Sequence, residues 1–174
     1  MGMKMDLETR DERLMGAALA EAAAALASGE FPVGCVIARG DAVVASGGRK
    51  RSRGMSANEI DHAEILALKD LCECRPGTDP SELTVYVTLE PCLMCFGAIL
   101  IAGIRRIVYA LEDVMGGGTG CRIEFLPPLY REPVLTCIPH VRRGESLILM
   151  RDFFSNPGNG YLRDTLLARY ILSA

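Results

Sequence analysis

The sequence predicts an α/β fold in which helices cover a β-sheet, and three observations support this prediction. Segments with helical periodicity alternate with short β-branched segments along the chain. The chain has 174 residues, a length that suits one domain with a sizeable core. It shows neither an internal repeat nor a long linker. We therefore expect one compact domain.

The first part of the chain predicts a helix followed by a hairpin. Residues 10–28, "RDERLMGAALAEAAAALAS", are rich in Ala and Leu and stop at a glycine, as a helix does. Two β-branched segments, 33–39 and 42–47, are joined by a Gly-Asp pair. This pair is typical of a hairpin turn, so the two segments are expected to form neighbouring antiparallel strands.

The middle of the chain predicts a loop, a helix, a strand and a further helix. Residues 48–58 are polar and have no periodicity, which is typical of a loop. After His62, apolar residues recur at helical spacing as far as a segment rich in Pro and Gly. Residues 83–89, "LTVYVTL", are almost all apolar and predict a buried strand. Pro91 then begins a second helix, which ends at Gly103.

The last part predicts a strand, a loop and two helices. Residues 105–110, "RRIVYA", have the composition of a strand. The loop 112–120, "EDVMGGGTG", lacks the strand, lysine and helix that surround a phosphate-binding loop, so we interpret it as a flexible rim. Residues 145–154 and 160–172 predict helices, and the second has an apolar stripe that suits packing on the core or on another subunit.

Composition limits the possible functions. Lys and Arg total 19 against 22 Asp and Glu, and 49% of residues are hydrophobic, so nothing in the bulk charge calls for nucleic acid. No apolar run is long enough for a membrane span, and the N-terminus lacks the apolar centre of a signal peptide. We expect a soluble cytoplasmic protein. In a reducing compartment its seven cysteines are expected to be free thiols and metal ligands.

His62, Cys92 and Cys95 have the residue types and the spacing of a metal site. The histidine and the cysteines stand where two helices are expected to begin, and cysteines three positions apart share one helix face. A helix N-terminus favours negative charge and so helps to hold thiolates. Three ligands of this type suit zinc and are one short of a closed structural site, which leaves a position for water. Zinc lowers the pKa of such a water far below its bulk value.

Glu64 is the candidate general acid and base. Two residues along a helix correspond to a rotation of about 200 degrees, so Glu64 is not expected to chelate the ion beside His62. A carboxylate next to the water can instead accept its proton and deliver it to a leaving group. The order "HAE" at 62–64 followed by "PCLMC" at 91–95 matches the zinc deaminase signature.

The resemblance extends over about residues 10–155. The segments "FPVGCVIA", "DHAEILAL", "VYVTLEPCLMCFGAIL" and "IRRIVYALEDVMGGGTG" occur in the order found in the cytidine/deoxycytidylate deaminase superfamily. They resemble most its bacterial tRNA adenosine deaminases and the related guanine and cytosine deaminases. The resemblance implies a three-layer αβα sandwich with a five-stranded mixed sheet, usually as a homodimer. It also implies a single deaminase domain over 1–174, in which 156–174 is a helical extension.

The resemblance further implies zinc-dependent hydrolysis of an exocyclic amine on a nucleobase, with release of ammonia. It assigns zinc binding to His62, Cys92 and Cys95 and proton transfer to Glu64. It implies substrate contacts for the side chains or backbone of Phe31, Ala63, Leu89 and Asp113. The family usually has a base-binding asparagine after the second strand, where this chain has Arg49, and Asn58 is a possible substitute.

The substrate and two other functions stay open at this stage. The basic segment 49–53, "RKRSR", is compatible either with phosphate binding or with a solvated loop. The core resembles enzymes that act on adenosine in tRNA, whereas the acidic balance and the non-basic C-terminal segment favour a free nucleobase or nucleoside. An inactive zinc-stabilised binding protein and a thiol enzyme that uses Cys92 and Cys95 are the remaining hypotheses. The other five cysteines are expected to be buried hydrophobes or surface thiols.

Overall fold

The computed structural model describes residues 2–55, 57–131 and 135–174, with side chains from residue 10 onward. Its centre is a five-stranded sheet with the strand order β2-β1-β3-β4-β5. β1 is antiparallel to β2 and β3, whereas β3, β4 and β5 are parallel, so the sheet is mixed, as the resemblance implied. The strands are β1 (Gly34–Arg39), β2 (Ala42–Gly48), β3 (Leu83–Leu89), β4 (Arg106–Leu111) and β5 (Thr136–Ile138).

Helices pack on the sheet and at its edge. α1 contacts β1 and β3, α2 contacts β2 and β1, and α5 contacts β4. The helices are α1 (Gly2–Ala27), α2 (Ala63–Cys74), α3 (Leu93–Ile101), α4 (Pro128–Arg131), α5 (Arg143–Ser155) and α6 (Leu166–Ser173). The α/β prediction is therefore confirmed. No helix in the described ranges is long and apolar enough to cross a membrane.

The two faces of the sheet carry two separate apolar clusters. Alternate residues of β3 show this division, because Val85 and Val87 belong to the larger cluster whereas Tyr86 belongs to the smaller one. Leu14 and Met15 of α1 complete the smaller cluster. The continuous apolar character of β3 thus reflects burial on both faces, as expected for a central strand.

Two strand glycines allow helices to approach the sheet closely. A Cβ atom at Gly34 would lie 2.1 Å from the carbonyl oxygen of Ala18 in α1. A Cβ atom at Gly47 would lie 2.4 Å from the carbonyl oxygen of Ala63, at the start of α2. Both neighbours are backbone atoms, so neither helix can accommodate a larger residue without moving away from the sheet.

The prediction for the C-terminal segment was partly wrong. A helix was expected over 160–172, but α6 begins only at Leu166, after the N-cap Thr165, whose side chain accepts a hydrogen bond from the Ala168 amide. Leu162 has a φ of 55°, which is incompatible with a continuous α-helix. Upstream, the Tyr161 amide donates to the side chain of Asn159. These local hydrogen bonds stabilise turns over residues that have helical periodicity.

β5 and α4 were not located in the sequence because both are very short. β5 has three residues and α4 has four, which is too few for a periodic pattern. β5 is specified by its neighbour, since it pairs in parallel with Arg106, Ile107 and Val108 of β4.

Glu112, at the end of β4, connects α5 to α6. Its carboxylate accepts hydrogen bonds from the guanidinium of Arg143 and from the hydroxyl of Tyr170. The hydrogen bond from Arg143 is the main cause that lowers the pKa of Glu112 to about 2. The C-terminal helix is therefore fastened to the sheet by an ionised, partly buried carboxylate.

We predict that Glu112→Gln lowers the free energy of unfolding at pH 7 by about 1–3 kcal/mol, because it removes a charged hydrogen-bond acceptor. The folded-state pKa is about 2 and the ordinary value is 4.5, so this stabilisation is complete above pH 4.5. It is lost as the pH falls from 4.5 towards 2. Denaturant unfolding at pH 7, 4 and 3 measures the difference between wild type and variant. Equal differences at all three pH values would contradict the assignment, and Glu73→Gln, at an exposed carboxylate, is the control.

Candidate active site

Two helix N-termini bring the three candidate metal ligands together. His62 is the N-cap residue of α2 and Cys92 is the N-cap residue of α3, so each lies one residue before the helical turn in which it was expected. Cys95 lies within the first turn of α3 and is fully buried. Neither N-cap side chain accepts a capping hydrogen bond. The imidazole and the thiol are therefore free to face a common point.

The distances between the donor atoms fit zinc. His62 Nδ1 lies 3.5 Å from Cys92 Sγ and 3.5 Å from Cys95 Sγ, and all three donor atoms lie within 4.8 Å of one another. A tetrahedral ion with Zn–S bonds of about 2.3 Å and Zn–N bonds of about 2.0–2.1 Å separates its N and S donors by about 3.5 Å. The two sulfur atoms and the imidazole nitrogen are thus spaced as three corners of a zinc coordination tetrahedron.

Hydrogen bonds among the three candidate ligand side chains shift their pKa values in a way that favours cation binding. A hydrogen bond from Cys95 is the largest cause that lowers the pKa of Cys92, to about 4, and His62 adds to the effect. The same contact with Cys92 raises the pKa of Cys95, and the Cys92 sulfur also raises the pKa of His62. These contacts favour the thiolate form of Cys92, and a bound cation would replace the proton on the second sulfur.

Glu64 lies beside these ligands with one carboxylate oxygen unpaired. Its residue is only 3% exposed, and burial raises its pKa to about 7. Its Oε2 atom is buried and has no hydrogen-bond partner in the described part of the chain. A buried polar atom without a partner is rare in folded proteins. Here it provides an acceptor next to the candidate metal ligands, and the role of Glu64 in proton transfer stays a prediction.

A cavity of about 220 Å³ opens beside the metal ligands. This volume is below the roughly 300–1,000 Å³ that is common for pockets of drug-sized ligands, so it suits a single heterocyclic ring system. Residues from six segments of the chain form its wall. They are Phe31, Val33, Arg49, Glu59, His62, Ala63, Glu64, Leu89, Glu90, Cys92, Asp113, Met115, Gly116, Tyr161, Leu162 and Leu167.

Most of the residues that were predicted to contact a substrate lie in this wall. Phe31, Ala63, Leu89 and Asp113 all line the cavity. Asn58 does not: its side-chain oxygen accepts a hydrogen bond from the Ile60 amide and so stabilises the loop before α2. Asn58 was expected to reach into the cavity, but this local hydrogen bond holds its side chain in the loop.

The basic segment 49–53 makes contacts within the chain. Arg49 is only 2% exposed and its guanidinium donates to the backbone oxygen of Asn58 at 2.8 Å. Arg51 forms an ion pair with Asp61, and Arg53 donates to the backbone oxygen of Ser28 at 3.4 Å. These contacts anchor the loop that carries His62, and they do not support the interpretation of this segment as a phosphate-binding surface.

The C-terminal segment contributes one wall of the cavity, although none of its residues was named as a site residue from the sequence. Tyr161, Leu162 and Leu167 line the cavity, and the Tyr161 ring lies 5.4 Å from the Phe31 ring. The Tyr161 hydroxyl donates to Glu59 at 2.8 Å. Local periodicity could not have identified Tyr161, since its partners lie more than 100 positions earlier in the chain.

Glu90, which was also missed, organises the glycine-rich loop. Its two carboxylate oxygens accept hydrogen bonds from the backbone amides of Asp113 and Thr119, both at 3.2 Å. The amide of Gly118 donates to the Pro91 carbonyl oxygen at 2.8 Å. The loop predicted as a flexible rim is therefore held against the segment that carries Cys92. The only sequence signal for this role of Glu90 was its position directly before Pro91 and Cys92.

The remaining cysteines agree with the expectation for structural or surface thiols. Cys35 is buried, Cys137 is partly buried, and Cys72, Cys74 and Cys121 are exposed, all as free thiols. Among the described residues, the only group of three or more possible metal ligands is the one formed by His62, Cys92 and Cys95.

Comparison with known proteins identifies related sequences. The family model for the cytidine and deoxycytidylate deaminase zinc-binding region matches residues 8–111. A tRNA-specific adenosine deaminase of Agrobacterium fabrum is 35% identical over 150 residues, which are 80% of this chain and 91% of that protein.

Solved structures show the same similarity in three dimensions. A structure from work on A-to-I editing by tRNA:A34 deaminases at the wobble position of transfer RNA has a TM-score of 0.67 and 31% identity, and the match covers 79% of this chain and 98% of that one. The guanine deaminase of Bacillus subtilis has a TM-score of 0.52 and 29% identity, with coverage of 58% and 64%.

We predict that Gly117→Ala loosens the loop held by Glu90. A Cβ atom at Gly117 would lie 2.5 Å from the carboxylate carbon of Glu90, which cannot move without losing its loop hydrogen bonds. We expect hydrogen exchange of the Asp113 and Thr119 amides to become about tenfold faster or more, equivalent to about 1.4 kcal/mol of local stability. Gly120→Ala is the matched control, since no atom lies within 4 Å of its Cβ position. Equal exchange rates in both variants would contradict this role of Glu90.

Proposed function

The chain belongs to the cytidine and deoxycytidylate deaminase family, and from this premise we propose that it binds zinc and hydrolytically deaminates a nucleobase. The family match covers residues 8–111, which include the complete candidate metal site. The observation that carries the proposal is the position of the unpaired, buried Oε2 of Glu64 beside three metal-ligating side chains. A closed structural zinc site needs no such acceptor.

His62, Cys92 and Cys95 are the proposed zinc ligands. When bound, zinc supplies a Lewis acid that makes water nucleophilic at neutral pH. Three protein donors would leave one coordination position for a non-protein ligand. His62 and Cys92 line the cavity, so a ring bound there would present its amine-bearing carbon to water activated by these residues' metal.

Glu64 is the proposed proton-transfer residue. Its carboxylate accepts a proton from the attacking water and then donates it to the exocyclic nitrogen, so that the C–N bond breaks and ammonia leaves. One oxygen replaces one nitrogen on the ring carbon, and the overall reaction consumes one water molecule. Burial keeps Glu64 out of bulk solvent, so the proton that it accepts is retained for the leaving group.

Adenosine in tRNA is the first candidate substrate. The relative from Agrobacterium fabrum is named a tRNA-specific adenosine deaminase and is matched over 91% of its length. The similar solved structure belongs to work on tRNA:A34 deaminases. We propose by analogy that this chain acts on the same class of substrate.

A free nucleobase is the second candidate, and the C-terminal segment favours it. Tyr161, Leu162 and Leu167 form one side of the small cavity, where an RNA strand attached to the base would need space. The similarity to the guanine deaminase of Bacillus subtilis is consistent with this candidate. Two of the four basic side chains of the segment 49–53 are also neutralised within the chain, since Arg49 is buried and pairs with Glu59, and Arg51 pairs with Asp61.

We also propose a homodimer in the cytoplasm. Exposed apolar side chains cluster on and near α3: Leu93 and Ile101 are each 65% exposed, and Phe125 and Leu129 are 72% and 66% exposed. An apolar surface of this kind is typical of a subunit interface. The cytoplasmic location follows from the composition and remains a prediction.

We predict that Glu64→Gln lowers turnover by about 10²–10⁴-fold and leaves one zinc ion per chain, because it removes the proton acceptor and none of the ligands. Ammonia release and elemental analysis measure the two effects. Glu73→Gln, an exposed carboxylate on the same helix, is the matched control. Cys95→Ser should instead lose the metal, whereas Cys121→Ser, at an exposed thiol, should keep it. Unchanged turnover in Glu64→Gln would exclude the proposed mechanism.

Ammonia release from an unmodified tRNA pool and from adenosine, cytosine, cytidine and guanine distinguishes the two candidate substrates. Release from tRNA alone would support the first candidate and exclude the second. Release from one free base, with tRNA unchanged, would support the second candidate. A zinc-loaded protein that releases ammonia from none of these would contradict the proposed function and favour a binding protein.

A further inference from the structure

Arg49 is a buried cation in the cavity wall, and its environment is unusual for an arginine. It is 2% exposed, and four of its five N–H groups have partners. One terminal nitrogen donates to the backbone oxygens of Lys50 and Asn58, at 3.2 and 2.8 Å. The other donates to Glu59 Oε2 at 3.2 Å and to the Tyr161 hydroxyl at 3.5 Å. The guanidinium is therefore fixed in one orientation.

One donor and one acceptor in this group remain without a partner. The Nε–H of Arg49 is buried and makes no hydrogen bond within the described ranges. Only Oε2 of Glu59 accepts hydrogen bonds from Arg49 and Tyr161, and no described residue donates to Oε1. Both side chains line the cavity. An unpaired buried donor is costly, so a ligand that accepts a hydrogen bond from it gains affinity.

Arg49 and Glu59 are in contact through a terminal guanidinium nitrogen and Oε2, so a ligand that reaches both the Nε–H and Oε1 needs a particular edge. The complementary ligand has an acceptor atom next to an N–H group. Free purines have such an edge, because a ring nitrogen lies close to the ring N–H, and free cytosine has a carbonyl oxygen beside its ring N–H. In a nucleoside the sugar replaces this N–H. Adenosine and cytidine therefore lack the ring N–H, and their exocyclic amine is the reacting group that has to lie at the metal ligands instead.

We propose that Arg49 and Glu59 form the base-recognition group of this cavity and select a free nucleobase over its nucleoside. Arg49 donates to the acceptor on the ring, and Glu59 accepts from the adjacent ring N–H. Tyr161 holds Glu59 in place through its hydroxyl. This assignment rests on the proposed deaminase function and chooses its second candidate substrate.

The charges around the cavity support a ligand without phosphate. Four carboxylates, those of Glu59, Glu64, Glu90 and Asp113, line it against one guanidinium. The charge of Arg49 is already balanced by Glu59. A phosphate placed against this wall would meet more negative than available positive charge, whereas a neutral ring has only hydrogen bonds to satisfy.

The test measures binding by calorimetry with zinc-loaded protein in a Glu64→Gln background, which prevents turnover. The ligands are adenine and adenosine, and cytosine and cytidine. We expect at least one free base to bind about tenfold or more tightly than its nucleoside. Glu59→Met should reduce this preference to about threefold or less, because it removes the acceptor for the ring N–H. Arg49→Met should weaken binding of the base and of the nucleoside alike, since both retain the ring acceptor.

Matched controls separate recognition from folding. Arg53→Met makes the same exchange in the same loop outside the cavity, and Glu73→Met removes an exposed carboxylate; both should retain the preference. Glu59 is 63% exposed at its side chain, so Glu59→Met is expected to fold even if Arg49→Met does not. Zinc content and thermal unfolding check each variant.

Three results would overturn the assignment: equal affinity for base and nucleoside, a preference that survives in Glu59→Met, or no binding of any base. Ammonia release by the unsubstituted protein is measured alongside and tests the proposed function separately. Deamination of tRNA without binding of free bases would leave the deaminase proposal intact and exclude this inference. A base preference that depends on Glu59, without ammonia release from any substrate, would support the inference and contradict the deaminase proposal.

Discussion

The separation of 3.5 Å between His62 Nδ1 and each of the two cysteine sulfurs is maintained by contacts from several parts of the fold. The ligands come from two helices that start in different loops, so the distance is fixed only if both helices are held against the sheet. Gly47 allows α2 to approach β2 at its first residue. At the start of α3, the Gly118 amide donates to the Pro91 carbonyl oxygen, which fixes the backbone before Cys92. The layered fold thus determines the metal geometry.

Much of the fold and the grouping of the candidate metal ligands could be predicted because their signals are local. β3 was predicted with its observed bounds, since a strand buried on both faces is apolar throughout. The ligand set and Glu64 belong to a spaced motif, and the structure brings these residues together. The short β5 carries no pattern of its own and forms because β4 provides hydrogen-bond partners.

The cavity wall was harder to predict because its contacts are distant in the chain. Arg49 and Tyr161 are 112 positions apart, and no property of either segment indicates the other. The role of the basic segment was left open for a related reason: a sequence shows the charges but not the partners that neutralise them. Asp61 and Glu59 lie close to the arginines in sequence, but only the fold shows which arginine each one contacts.

The order of the chain has a consequence for how the site is assembled during synthesis. Residues 62–95 leave the ribosome before Tyr161, Leu162 and Leu167, which complete the cavity wall. The candidate metal ligands are therefore exposed to solvent while one side of their future cavity is still absent. A metal ion that binds at that stage needs no route through the finished cavity, and the later arrival of the C-terminal segment encloses an ion that is already in place.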